Sequence, residues 1–136
     1  MTANLNTWYF VAEDINGDTA TIYVNGDAVP GCSYSYSDPG VETNIAIGAY
    51  TSTSNAAGDI MDGLEANLQI YNTSLSQPEI QALYQEGIGG APIRPQNLVG
   101  WWPLNGNAND YSGNNNNGVP SNVIYSSSWE SGYTAP

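Results

Sequence analysis

Apolar and polar residues alternate along Thr19–Val24, TATIYV, with the period of two that marks a strand with one wet face. The same reading applies to the aromatic and β-branched run TWYFVAED at Thr7–Asp14, to TNIAIGAY at Thr43–Tyr50, and to LEANLQIYN at Leu64–Asn72. In the last of these Leu64, Ala66, Leu68 and Ile70 form the face expected to be buried, against Glu65, Asn67, Gln69 and Tyr71. Turn signals separate the strands. INGD spans Ile15–Asp18, and Asn25–Gly26 is the pair that a two-residue type I′ hairpin demands, because both central residues need positive φ. The small polar stretch TSTSNAAGD after Tyr50 is expected to be a loop.

At Ser76 the period changes. SQPEIQALYQEG places Ile80, Leu83 and Tyr84 on one helical face at i, i+3 and i+4. Ser76 is the predicted N-cap with Glu79 as its capping-box partner, Pro78 sits in the first turn, and Gly87 supplies a left-handed stop. One short helix near Gln77–Glu86 is therefore expected. GIGGAPIRPQ, Gly87–Gln96, is a Gly/Pro linker. Beyond it come an apolar strand at Leu98–Leu104, an Asn/Gly loop to Gly118, a further strand near Asn122–Trp129 and the aperiodic tail ESGYTAP. The pattern predicts an all-β fold, an antiparallel two-sheet sandwich with one short helix.

Composition sharpens this picture. Thirteen acidic residues face a single base, Arg94, in a chain of 136 residues with net charge −12 and no His. Such a surface repels phosphates and anionic lipid, so nucleic acid and membrane insertion are not expected as partners. With only 10% charged residues, the chain stays soluble by hydrogen bonding to water, a composition suited to an extracellular or cell-surface setting. Met1 is not followed by a basic segment and an apolar core, so an export signal, if used, was removed or lies upstream. Cys32 is alone, which rules out an internal disulfide and leaves it the part of a small packed hydrophobe.

Several stretches stand in the order found in laminin-G-like, concanavalin A-like jelly-roll domains. The hairpin with YVNG, then IAIG, a strand ending IYN, SLS and EIQALY resemble the C-terminal half of that family, over residues 1–90. LVGWWPLNGNANDYSGNNNNG, Leu98–Gly118, resembles its N-terminal start, with a D-x-S-G loop at Asp110, Ser112 and Gly113. The halves are reversed, and the family's middle strands are missing. Residues 1–90 then read as the main sandwich portion, 91–96 as a linker, and 97–136 as a segment completing the same sandwich or that of a neighbouring copy. Three arrangements account for the reversal: a junction in a tandem array, a circular permutant, or strand exchange between copies. In the last, Leu98, Trp101, Trp102 and Leu104 are the assembly residues, and an open filament of copies follows.

The candidate chemistry is sparse. Without His or Lys the commonest general bases are absent. Enzymes of this fold use paired Glu residues on one strand, but Glu65 has Asn67 and Gln69 as its same-face neighbours, so no enzyme is expected. A Ca²⁺ site is conceivable in the loop around Asp110, which offers carboxylate, amide and backbone oxygens. The resemblance adds the family's acidic position on the strand before IYN, held here by Ala66 or Asn67, with Asn67 the candidate ligand; the plainer reading is that Asp110, Ser112 and the Asn residues cap turns. The resemblance also implies glycan contact by exposed aromatics, for which Tyr34, Tyr36 and Tyr50 are candidates. Asn72-Thr73-Ser74 fits the N-glycosylation sequon. The expected role is a non-enzymatic structural or adhesive module that assembles with its own copies, with Ca²⁺-dependent carbohydrate binding as the alternative.

Overall fold

The computed structural model describes residues 4–37, 45–51 and 57–125, and among these residues it has seven strands and one α-helix. All pairings are antiparallel and fall into three groups: β1 (Val11–Asn16), β2 (Thr19–Val24) and β3 (Asp27–Ser35) in one sheet, β4 (Ala49–Thr51) with β5 (Ala57–Ile60), and β6 (Leu68–Tyr71) with β7 (Leu98–Trp102). The expected class, antiparallel all-β with one short helix, is the class found.

The β2–β3 hairpin forms because Asn25 and Gly26 take φ 52° and 84°, the left-handed conformation a type I′ turn requires. Gly26 is required twice over. A Cβ there would lie 3.2 Å from both Gln81 Cγ and Tyr84 Cδ1 of the helix, so the hairpin tip sits directly against α1. The register pairs Val11 with Val24, Glu13 with Ile22 and Ile15 with Ala20, and Ala20 in turn with Tyr34. Between Thr21 and Tyr23 the β2–β3 register breaks, and the extra residues on β3 include Pro30 and Gly31.

Helix α1 runs Gln77–Glu86, as the periodicity predicts. Glu79 closes its first turn: Oε2 accepts the Ser76 backbone N–H at 2.8 Å and the Ser76 hydroxyl at 2.6 Å. These two bonds, with that from Arg94, hold the Glu79 carboxyl well below its usual range, at about 2. At the other end Gly87 has the expected positive φ, 75°, but ψ −168°, so it leaves the helix through a region only glycine occupies readily rather than through a left-handed stop. Ile80 is buried to 1% exposure, and Phe10 stacks at a tilt on Tyr84 with centroids 5.9 Å apart. Asp14 ties the sheet to the segment before the helix, accepting Ser74 Oγ at 2.9 Å and Leu75 N–H at 2.8 Å. The helix therefore meets the first sheet at the hairpin tip and Phe10, and the segment before it meets Asp14.

The buried apolar side chains among the described residues are Ala20, Leu75, Ile80, Leu98 and Trp102. Several expectations need correction. β1 begins at Val11 rather than Thr7, and Ile45–Gly48 precede β4 without being strand. Part of the expected loop after Tyr50 is β5, because Ala57 and Ile60 pair with Thr51 and Ala49. Leu64 is 52% exposed and the strand starts only at Leu68, since Asn67 turns to φ 53° and breaks the alternation. β7 ends at Trp102, and Leu104 has φ 59°, so it leaves the strand half-exposed rather than buried. Asn122–Tyr125 are not strand, and the remainder of the strand expected to Trp129 lies outside the described residues. Cys32 is exposed at the irregular part of β3, not packed inside.

Candidate functional site

β7 pairs with β6 of its own chain, Leu68 opposite Trp102, Gln69 opposite Trp101 and Ile70 opposite Gly100. Strand alternation sends Leu98, Gly100 and Trp102 inward and Val99 and Trp101 outward. The two tryptophans therefore have different tasks. Trp102 lies over Gly100 so closely that a Cβ there would sit 2.0 Å from the indole ring, and its Nε1–H donates to the Asn116 carbonyl at 2.9 Å. Trp101 faces the other way and donates its Nε1–H to Asn67 Oδ1 at 2.7 Å.

The Asn/Gly loop folds back along the edge of β7 opposite β6. Asp110 organises it. Oδ1 accepts the backbone N–H of Trp101 at 2.9 Å and of Ser112 at 2.8 Å; Oδ2 accepts the Ser112 hydroxyl and the Asn116 N–H, each at 2.9 Å. Partial burial alone would raise the Asp110 carboxyl, but the donors from Trp101, Ser112 and Asn116 outweigh it and hold it below its ordinary value. Asn114 Nδ2 donates to the carbonyls of Leu98 and Val99, Asn116 Nδ2 to Val99, and Tyr111 N–H to the Trp101 carbonyl. Side-chain amides thus take the place of a neighbouring strand, and the outer edge of β7 is satisfied within the chain.

Between this loop and the linker lies a cleft of ≈ 260 Å³, lined by Asn67, Ile88, Gly89, Trp101, Pro103, Asn105 and Tyr111. Trp101 and Tyr111 meet edge to face, centroids 6.2 Å apart at 65°, and Tyr111 is 52% exposed. Asn67 fixes the floor. Its positive φ lets the backbone N–H reach the Pro103 carbonyl at 3.1 Å, while Nδ2 donates to the Gly90 carbonyl at 3.0 Å. The lining carries no charged side chain, and the chain's single base, Arg94, is paired with Glu79.

The predicted site residues fall in three places. Asp110 and Asn67 stand on either side of Trp101, one on its backbone and one on its ring, and the Asp110 oxygens are occupied by four protein donors. Among the described residues no three His, Cys, Asp or Glu side chains come together. Tyr34 is on the first sheet with its hydroxyl on Glu13, Tyr36 is half-buried just beyond β3, and the Tyr50 side chain lies outside the described residues; none of the three lines the cleft. Asn72 is exposed at the end of β6, where its Oδ1 accepts Asn97 Nδ2 at 3.1 Å, and the sequon hydroxyl Ser74 donates to Asp14. The cleft residues Tyr111, Asn105 and Ile88 were not legible as a site. Only the parity of Trp101 against Trp102 pointed to one.

The sequence model of the concanavalin A-like lectin/glucanase superfamily, laminin-G-like type, matches residues 1–81. The chain belongs to this superfamily. Searches of the curated proteins and of the solved structures return no match. The superfamily match takes in β1 to β6 and the start of α1, so the Trp101 side of the cleft lies beyond it while Asn67 lies within it. Laminin-G-like domains are generally non-catalytic binding modules and typically extracellular, and among the described residues no helix is long and apolar enough to cross a membrane.

Proposed function

We propose that this laminin-G-like chain is a non-catalytic, adhesive carbohydrate-binding module that uses the cleft beside Trp101. The observation that carries this reading is the juxtaposition of two aromatic rings, Trp101 and Tyr111, with the amides of Asn67 and Asn105 around an uncharged hollow. Aromatic faces offer apolar area to sugar C–H groups, and amides offer both donors and acceptors to hydroxyls. At ≈ 260 Å³ the cleft is just below the roughly 300–1,000 Å³ of drug-sized sites, which suits the end of an oligosaccharide rather than a long chain. A net charge of −12 and a lining without cations favour neutral over sulfated or uronic sugars. Calcium is not needed in this reading, because protein donors already fill the Asp110 oxygens.

The test is calorimetry against a panel of neutral and acidic oligosaccharides, with calcium and with chelator. Binding of a neutral glycan that survives chelation and weakens about tenfold, roughly 1.4 kcal/mol, in Tyr111→Ala supports it. Tyr111 is half exposed, so the variant keeps its fold. No binding across the panel, or binding indifferent to Tyr111, sinks it; strict calcium dependence would return the role to the Asp110 loop.

A second reading is assembly of copies by exchange of Leu98–Trp102. What supports it is that Leu98 and Trp102 bury themselves against β6 across the Gly87–Gln96 linker, and the same register serves whichever copy supplies β7. Light scattering across a dilution series with negative-stain microscopy checks this. Filaments lost in Trp102→Asp support exchange, and a monodisperse monomer at high concentration ends it.

A further inference from the structure

Four Asn–Gly pairs occur in the chain: Asn16–Gly17, Asn25–Gly26, Asn105–Gly106 and Asn117–Gly118. Each is disposed to one reaction, because glycine sets no side chain between its backbone nitrogen and the preceding amide. The deprotonated glycine nitrogen attacks Asn Cγ, the bond from Cγ to the side-chain nitrogen breaks, and ammonia leaves. The product is a five-membered succinimide. Water then opens the ring: cleavage at Cγ leaves an aspartate, and cleavage at the backbone carbonyl leaves an isoaspartyl link through the side chain. One water is consumed and one ammonia released, with no oxidant or cofactor. Ring closure sets two structural conditions. The side-chain amide and the glycine N–H must both be free, and the peptide must turn about the Cα–C bond until the glycine nitrogen reaches Cγ.

Three of the four pairs fail these conditions. Asn117 Oδ1 accepts the Asp110 N–H at 2.9 Å, and the Gly118 N–H donates to the Ala108 carbonyl at 2.8 Å. The hairpin turn holds Asn25 at φ 52°, a left-handed conformation in which the next nitrogen points away from Cβ, and its Oδ1 accepts the Phe10 N–H at 3.1 Å. Asn16 ends β1 opposite Thr19, so turning its peptide would pull it out of the ladder. These pairs react only when local structure opens.

Asn105–Gly106 meets both conditions. Asn105 is exposed and lies outside every strand and helix. The loop's hydrogen bonds start at Asn107, whose side chain meets Tyr111 and Asn109. Among the described residues no hydrogen bond reaches the Asn105 amide or the Gly106 N–H. Gly106 has φ 117° and open space where a Cβ would stand. The backbone thus demands the one residue that makes Asn105 reactive.

We propose that Asn105 is a site of spontaneous deamidation, and that the reaction writes a negative charge into the cleft. Asn105 lines that cleft with Trp101 and Tyr111, and no lining side chain is charged. Both products carry a carboxylate there, and the isoaspartyl form also lengthens the backbone next to Leu104, itself left-handed at φ 59°. The modification does not depend on what the cleft binds.

The test holds the full chain in warm, mildly alkaline buffer, samples it over time, and digests it with chymotrypsin. Mass spectrometry of peptides spanning Trp102–Tyr111 and the other three pairs then follows the exchange of each amide for a hydroxyl. In the folded chain Asn105 should convert at least about tenfold faster than Asn16, Asn25 or Asn117. In urea the four rates should converge, since the protection of the other three is structural. Asn105→Ser should abolish the fast phase of ammonia release. Should that variant misfold, the wild-type peptide map still decides. Equal rates at the four pairs in the folded chain, or fastest conversion at any pair other than Asn105, overturns the proposal. So does an Asn105 that stays intact in the folded chain after the unfolded chain has converted.

Discussion

The β6–β7 pair and the β1–β3 sheet are built from similar residues and are finished in opposite ways. Around β7 the strand has β6 on one edge and a lattice of Asp110, Asn114 and Asn116 on the other, and both indole N–H groups have acceptors. The first sheet has antiparallel ladders along both sides of β2, interrupted once by the β3 bulge, but leaves Val11, Ile15 and Tyr34 in contact with solvent. The comparison teaches that backbone satisfaction and apolar burial are separate achievements. Among the described residues, one region is complete, while the other has its ladders and leaves large apolar side chains open to solvent.

The sharpest way to break this contrast is at Trp102. Trp102→Ala should destabilise the chain by about 3–5 kcal/mol, since a nearly buried aromatic is removed from a small core; urea unfolding followed by fluorescence of the remaining tryptophans measures it. Gly100→Ala comes next. Its methyl would occupy the space of the Trp102 ring, so roughly 1–3 kcal/mol should be lost, with a changed near-ultraviolet spectrum as the indole is displaced. If the completed region were as open as the first sheet, neither change would be felt.

Asp110→Ala sharpens the comparison locally. Four donors lose their acceptor, the loop loosens from β7, and about 1–2 kcal/mol should be lost. Hydrogen exchange should quicken at the Trp101, Ser112 and Asn116 amides and stay unchanged in β1–β3. The smallest effect is acid-dependent. Glu79 has a folded-state value near 2 against an ordinary 4.5, so its contribution is present above about pH 4.5 and fades as pH falls toward 2. Asp110, also lowered, acts with the same sign. Melting temperature against pH should fall through that window, and Glu79→Gln should flatten part of the slope. The carboxyl is half-buried and its partner Arg94 more open, so solvent screening keeps the change modest.

What was legible in the sequence was whatever is decided locally. The helix followed from Ser76, Glu79 and Gly87, and the hairpin from Asn25–Gly26, because caps and tight turns depend on a few adjacent residues. The superfamily and the antiparallel all-β class were legible from short motifs. What failed depended on distant partners. Asn67 leaves the strand conformation in a place where its amide meets Trp101 and Gly90, more than twenty residues away, so alternation from Leu64 could not reveal the break. β5 is small and polar and is a strand through its pairing with β4. The cleft was missed because Trp101 and Trp102 were read together as assembly residues, although neighbours on a strand face opposite ways. Asp110 shows the reverse case: its role as a turn-capping acceptor was among the readings open from the D-x-S-G pattern, and its bonds fit that reading.

The separation of β6 from β7 has a consequence in time. Tyr71 pairs with Leu98, so the 26 residues 72–97, including all of α1, are synthesised between the strand and its partner. At about 5–20 residues per second, β6 waits roughly 1–5 seconds for β7. The β2–β3 hairpin, with only Asn25 and Gly26 at its turn, closes in about 1–10 microseconds once released. During that interval Leu68 and Ile70 have α1 as the nearest newly made structure. The Gly87–Gln96 linker then sets how soon the last strand returns, so lengthening it should delay folding more than it weakens the finished protein.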